Sequence, residues 1–251
     1  MLRNFARMML RDRFLGSGLG VIWAIANPVL MLAIFTFVFG FVFKAKLPGS
    51  ETSLAYVSWL IAGYGPWLAI SEGITAGTAS VTSNVNVVKN IGFKTELLPI
   101  AGALMGLVPF VVSFVYLATL IGFYGPPPRW AWLMVVPIAL LQFLFVAGIS
   151  LTLSALNVFV RDIAMVLPNL LLIAMFATPV FYPIDVLPSA VRILALLNPL
   201  YLITESFRLA LLNGSVLPAG LFAYLIIFCI GTFVLGLFIF RRIKPYFDSR
   251  L

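Results

Sequence analysis

Several stretches of this chain reach or pass the roughly 20 residues a helix needs to cross a bilayer without meeting a single charge. They include 21–43, 98–123, 130–156 and 217–240. The apolar residues are continuous rather than alternating, so they predict spanning helices and not the strands of a barrel. With 63% hydrophobic and only 10% charged residues, a soluble domain of this length is excluded. The fold class expected is an all-α polytopic membrane protein of six transmembrane helices. The remaining two spans are 53–74, which tolerates Gly63, Gly65 and Pro66, and 164–183, which holds Pro168 and Pro179.

The segments between the spans are short and have distinct characters. Residues 1–14 place Leu2, Phe5, Ala6 and Met9 on one helical face and Arg3, Arg7 and Arg11 on another, the pattern of an amphipathic helix lying in the interface. Gly16, Gly18 and Gly20 form a joint between it and span 1. No cleavable signal peptide is expected, because this first segment is charged and no small-residue cleavage site follows it. The polar connection before span 3, rich in Ser, Thr and Asn, predicts a surface helix over 84–96. Consecutive prolines at Pro126, Pro127 and Pro128 make a loop, and Trp130 and Trp132 anchor the start of span 4 at an interface. Arg161 and Asp162 carry the only charges in the tight turn between spans 4 and 5. Residues 184–214 are too apolar for a free loop and too interrupted for a clean span, which predicts two short re-entrant helices with Ser189 and Ser206 at the surface.

Charge then orients the chain. Lys44, Lys46, Arg129, Arg192 and Arg208 fall on one side, and the rest of the sixteen basic residues on the other, with both termini. That bias predicts cytoplasmic termini. The net charge of +8 sits at span ends, so membrane lipids are the expected partner and nucleic acid is not. Histidine is absent and the lone Cys229 lies within an apolar run, which leaves no metal site, no proton relay of the usual kind and no internal disulfide. Only Glu72 is a candidate buried acid, and the halves show no repeat, against an ion-coupled secondary transporter. Clustered acids, histidines or a metal motif, as a membrane glycosyl or lipid transferase needs, are missing as well. No G-x-x-x-x-G-K-[ST] phosphate loop occurs, so ATP-driven work must come from a partner.

Several local patterns, in order along the chain, resemble the permease subunits of the ABC type-2 exporters that move O-antigen, teichoic acid and capsule polysaccharides. They are Arg13-Phe14-Leu15-Gly16-Ser17-Gly18-Leu19-Gly20 with Trp23-Ala24 and Pro28; Asn86-Val87-Val88-Lys89 with Phe93-Lys94, Glu96 and Pro99; Leu156 through Ile163; Thr178-Pro179-Val180-Phe181-Tyr182-Pro183; and Leu197-Asn198-Pro199-Leu200-Tyr201 with Glu205 and Arg208. The family often has a proline beside the phenylalanine of the second pattern, and Gly92-Phe93-Lys94-Thr95 has none.

The resemblance implies a homodimer in the bacterial inner (plasma) membrane, with two separate ATPase subunits that bind ATP and Mg, exporting a lipid-linked glycan. The chain itself is then no enzyme, with no catalytic residue and no cofactor. It assigns Asn86, Lys89, Phe93, Lys94 and Glu96 to ATPase coupling, with Arg161 and Asp162 in a cytoplasmic turn. Asn198, Tyr201, Glu205 and Arg208 fall in an outer gate, although Glu205 and Arg208, one turn apart, also suit a simple pair. Phe35, Phe39, Phe176, Phe181 and Tyr182 on spans 1 and 5 are the candidate pore-lining aromatics, since ring faces suit the C–H faces of sugars. Arg11 and Arg13 are candidates for a substrate mouth that meets the carrier phosphate. Another lipid or a drug-like molecule as the cargo is the alternative.

Overall fold

The computed structural model describes residues 18, 20–47, 52–88, 93–124 and 127–250. The expected interface helix over 1–14, with Arg11 and Arg13, lies outside the described residues, as does Lys89. Among the described residues the structure is helical with no strand. Among those residues five helices are long and apolar enough to cross a membrane: α1 (Gly20–Val42), α2 (Ser53–Ala79), α3 (Leu97–Phe123), α4 (Trp130–Asn157) and one nearest the C-terminus. Between α4 and that last helix lie a shorter apolar helix, α5 (Asp162–Ala177), and a sharply bent pair, α6 (Ser189–Leu197) and α7 (Pro199–Asn213), whose axes differ by 86°. The last helix is α8 (Ala219–Ile243), and a 3-10 turn, Lys244–Ser249, finishes it.

The expected span over 164–183 is therefore corrected: α5 stops at Ala177. Thr178 precedes a proline, which disfavours a helical backbone, and it is extended at φ −97°, ψ 136°. At about 1.5 Å per residue the helix reaches only about 24 Å, and the extended stretch through Pro183 carries the chain the rest of the way. The surface helix expected over 84–96 is also shorter among the described residues. Val85–Val88 makes a single turn, and Phe93 and Lys94 are not helical.

The α6–α7 pair begins and ends at the same end of the bundle. Asn198 caps α7, its Oδ1 accepting from the Leu200 N–H at 2.9 Å, and Pro199 follows at the first helical position, where its missing N–H costs nothing. At the other end of α7, Gly214 takes a left-handed backbone, φ 69°, that favours glycine. There the Asn213 carbonyl accepts from Arg129 at 2.6 Å, and the Leu211 carbonyl from the Trp132 indole at 3.1 Å, which fixes the end of α7 to the start of α4. The connections therefore alternate ends in a regular way. The end holding Gly20, Ala79, Leu97, Asn157 and Ile243 is called proximal below, and the end holding Phe43, Ser53, Arg129 and Gly214 distal.

Helix α2 is the axis of the fold, buried along most of its length against α3, α4 and α7. Its small residues allow that. A side chain at Gly73 would meet Val146 of α4 and the Ala103 carbonyl of α3, and one at Gly77 would meet Ser150. Helices α1 and α5, by contrast, leave much of their apolar surface uncovered, including Phe37, Phe41, Met165 and Ile173.

Candidate functional site

Two regions gather the side chains singled out in the sequence, one at each end. The distal region is built from rings. Helix α1 winds into π-helical turns over Thr36–Val42, and the Thr36 hydroxyl sits 2.9 Å from the Tyr116 hydroxyl of α3. This leaves Phe35 and Phe39 in edge contact, centroids 6.1 Å apart, facing the bundle. Phe35 also meets Tyr64 of α2 at 4.7 Å and Phe181, beyond α5, at 5.6 Å. Phe181 in turn lies 5.9 Å from Tyr64 and stacks on Phe176 at 5.7 Å. Phe39 extends the group to Phe43 and Tyr56. Tyr182 belongs through its hydroxyl, which donates to the Phe176 carbonyl at 2.9 Å. All five aromatics picked from spans 1 and 5 thus fall in one assembly. Tyr56 and Tyr64 were missed, because a tyrosine in an apolar span has no local mark that tells which face it takes.

The residues assigned to an outer gate stand behind this assembly. Asn198 donates from Nδ2 to the Thr178 hydroxyl at 3.0 Å, tying the start of α7 to the end of α5. Tyr201 is buried. Glu205 and Arg208 do pair, at 3.3 Å, and Arg208 is 2% exposed. Its guanidinium lies 3.7 Å above the Trp59 ring. Ser206, expected at the surface, is buried and donates to the Leu202 carbonyl at 2.6 Å, because α7 turns that face toward α2; Ser189 is exposed.

The proximal region is a second, smaller core. Val81, Leu98, Leu151, Ala155, Val158, Phe240 and Phe247 are buried together, and Phe93 packs against them. The 3-10 turn after α8 folds back so that the Phe247 ring meets Phe240 at 5.5 Å and Phe159 at 6.3 Å. Glu96, at the start of α3, binds two cations of α8's end: Lys244 at 3.3 Å and Arg241 at 3.7 Å. Burial pushes the Glu96 carboxyl up, but a hydrogen bond with its own backbone N–H and the two cations outweigh it, and the net pKa lies below the usual carboxylate value.

The turn between α4 and α5 is organised by Asn157, another residue missed in the sequence. Buried at the end of α4, it donates to the Thr78 carbonyl at 3.4 Å and the Thr82 hydroxyl at 3.2 Å, and it accepts from the Ala164 N–H at 3.1 Å. Arg161, Asp162, Asn86 and Lys94 are exposed. Asp162 lies in the first turn of α5, where a negative charge favours the helix dipole. A third feature is a cleft of about 170 Å³ between α1, α2 and α3, lined by Trp23, Asn27, Ser71 and Glu72 among apolar neighbours. It places Glu72 within the span region and not at a helix end.

Comparison with known proteins agrees with this layout. Residues 2–212 match the family described as ABC-2 type transporter. The chain is 29% identical over 246 residues to an O-antigen export system permease protein RfbA of Klebsiella pneumoniae, covering 96% of this chain and 91% of that one. A protein of the same name from Myxococcus xanthus is 27% identical over 210 residues, 83% of this chain and 78% of its own length. The polysialic acid transport protein KpsM of Escherichia coli is 24% identical over 233 residues, 92% and 89% of the two chains. A match over most of the length, on a helical bundle with a sharply bent helix pair before its last span, leaves one assignment: this chain belongs to the ABC-2 type transporter family.

Proposed function

We propose that the chain is the membrane subunit of an ATP-driven exporter that carries a lipid-linked polysaccharide out of the cytoplasm. The observation that carries this reading is the distal aromatic assembly, set on a chain similar nearly end to end to a permease named for O-antigen export. Rings present apolar faces to pyranose C–H groups without fixing any one pattern of hydroxyls, which suits a repeating polymer that must slide. Two copies would meet through the uncovered faces of α1 and α5, with the aromatic assemblies flanking a twofold axis. Two partner ATPase subunits, holding ATP and Mg, would dock at the proximal end around Asn86, Lys89, Phe93, Lys94 and Glu96. Arg11 and Arg13 would meet the carrier phosphate there.

The proximal end is then cytoplasmic, in a bacterial plasma membrane. Cysteine at Ser189, in a Cys229→Ala background, should react with an impermeant thiol reagent added to intact cells. Cysteine at Ser206 should stay silent, because that position is buried. Labelling of the Ser189 variant only after the membrane is opened would reverse the orientation.

The function is tested by deleting the chain and extracting lipid-linked intermediates. Full-length glycan on its carrier should accumulate inside, detected by mass spectrometry, while surface polysaccharide disappears and returns on complementation. Unchanged surface glycan with no internal intermediate would overturn the reading.

A further inference from the structure

The stretch Thr178–Pro183 between α5 and α6 is not helical, so the carbonyls of Pro179, Val180 and Phe181 lack the backbone partners a helix would give them. In a membrane each such group must be satisfied by protein. Three successive carbonyls here are met by side chains from elsewhere. The Pro179 carbonyl accepts from Arg208 Nη1 at 2.9 Å. The Val180 carbonyl accepts from Arg208 Nη2 at 2.6 Å, and the Phe181 carbonyl accepts from the Tyr56 hydroxyl at 2.8 Å. Arg208 Nε also donates to the Trp59 carbonyl at 3.3 Å, and Glu205 balances the charge. Room for the guanidinium comes from Gly63: a Cβ at that position would collide with it.

We propose that Arg208 is a positioning residue that holds this strap, and with it the Phe181 ring, against Phe35 and Tyr64. The strap is thereby fixed to α7 and the distal half of α2, although it follows α5 in the chain. Any rearrangement that withdraws Phe181 from the assembly must then carry α7 with it or break the fork of hydrogen bonds. A planar guanidinium spans two neighbouring carbonyls while stacking on an indole. A lysine ammonium is a point charge with no planar fork to reach both strap carbonyls and the Trp59 carbonyl from one fixed plane, so Arg208→Lys keeps the charge and loses the geometry. The relevance to export rests on the proposed function; the positioning itself does not.

The test uses cysteine pairs in the Cys229→Ala protein, in isolated membranes without nucleotide or substrate. One pair replaces Phe35 and Phe181. The other replaces Thr36 and Tyr116, in hydrogen-bond contact between α1 and α3, and reports the rest of the bundle. With a short bifunctional thiol reagent, Arg208→Lys should cut the Phe35–Phe181 cross-link roughly tenfold, as expected for losing a charged hydrogen-bond pair, and leave the Thr36–Tyr116 cross-link unchanged. Tyr56→Phe, which removes one hydroxyl and keeps the ring, should cut the first cross-link by a smaller factor. Retention of both cross-links in Arg208→Lys overturns the proposal. So does equal loss of both, which would make Arg208 a support of the whole bundle. If Arg208→Lys fails to accumulate, Tyr56→Phe decides, and an unchanged Phe35–Phe181 cross-link there overturns it. A lost cross-link with normal export leaves the positioning intact and removes the aromatic assembly from the export route instead.

Discussion

Replacing Gly236 by valine should abolish folded protein. Helices α4 and α8 make the most extensive contact in the structure, and they meet through two glycines. A Cβ on Gly236 would run into the Gly148 carbonyl, and one on Gly148 would meet the Thr232 carbonyl of α8. Backbone is the obstacle on both sides, so no side-chain rotation relieves the clash. The helices must separate, and they lose packing along their shared length. In a bilayer, helix association depends on such close fit, because lipid tails already satisfy apolar surface. The cost should exceed the roughly 1–3 kcal/mol of ordinary overpacking. The expected result is no monodisperse peak after detergent extraction of Gly236→Val, with Gly236→Ala intermediate. Gly231→Val is the control, since a side chain there meets nothing within 4 Å. Equal behaviour of Gly231→Val and Gly236→Val would mean that the close approach is not what holds the two helices.

The contrast between Gly231 and Gly236 also marks what a sequence of this kind hides. Crossings were legible because a bilayer imposes a length and forbids charge, and both constraints are written locally. The ends of α1, α3 and α4 follow from that alone. The end of α5 was misplaced because its apolar run continues through Pro179, while the helix stops where a residue must precede a proline. Which face a residue takes was legible only where a second constraint acted. Phe35 and Phe39 share a face by their spacing. Phe181 joins them because Arg208, from a helix nearly thirty residues on, and Tyr56 of α2 hold the strap in place. Arg208 itself reads in the sequence as an outer-gate residue or a simple pair with Glu205, and its burial depends on the missing side chain at Gly63, which no local pattern announces. Asn157 was similarly silent, since one polar residue at the end of an apolar run gives no hint that it fastens three segments.

On the proposed function, Glu96→Lys should reduce export more than tenfold while leaving the protein inserted in the membrane. Glu96 sits where the connection from α2 turns into α3, and both of its cations belong to the end of α8. Phe93, three residues earlier, packs on a core shared by α3, α4, α8 and Val81, which follows two residues after the end of α2. A force applied at this connection therefore reaches those helices, and the carboxylate is the part of the junction that ties α3 to α8 by charge. Reversal places three cations together and detaches that tie. Loss of the ion pairs alone costs modestly, about 1 kcal/mol or less, because Arg241 and Lys244 are partly in water and screened. The large effect is expected in export, with ATP hydrolysis persisting uncoupled. Surface glycan and hydrolysis by the purified complex are the two readouts. Lys244→Glu combined with Glu96→Lys should restore much of the coupling. Because the Glu96 pKa is lowered in the folded chain, the tie stabilises the fold above the ordinary glutamate pKa of about 4.3 and fades as pH falls through the folded value. The Glu96→Gln protein should accordingly lose the part of its acid sensitivity that Glu96 supplies to the parent. Export unaffected by Glu96→Lys would show that motion enters the bundle by another path.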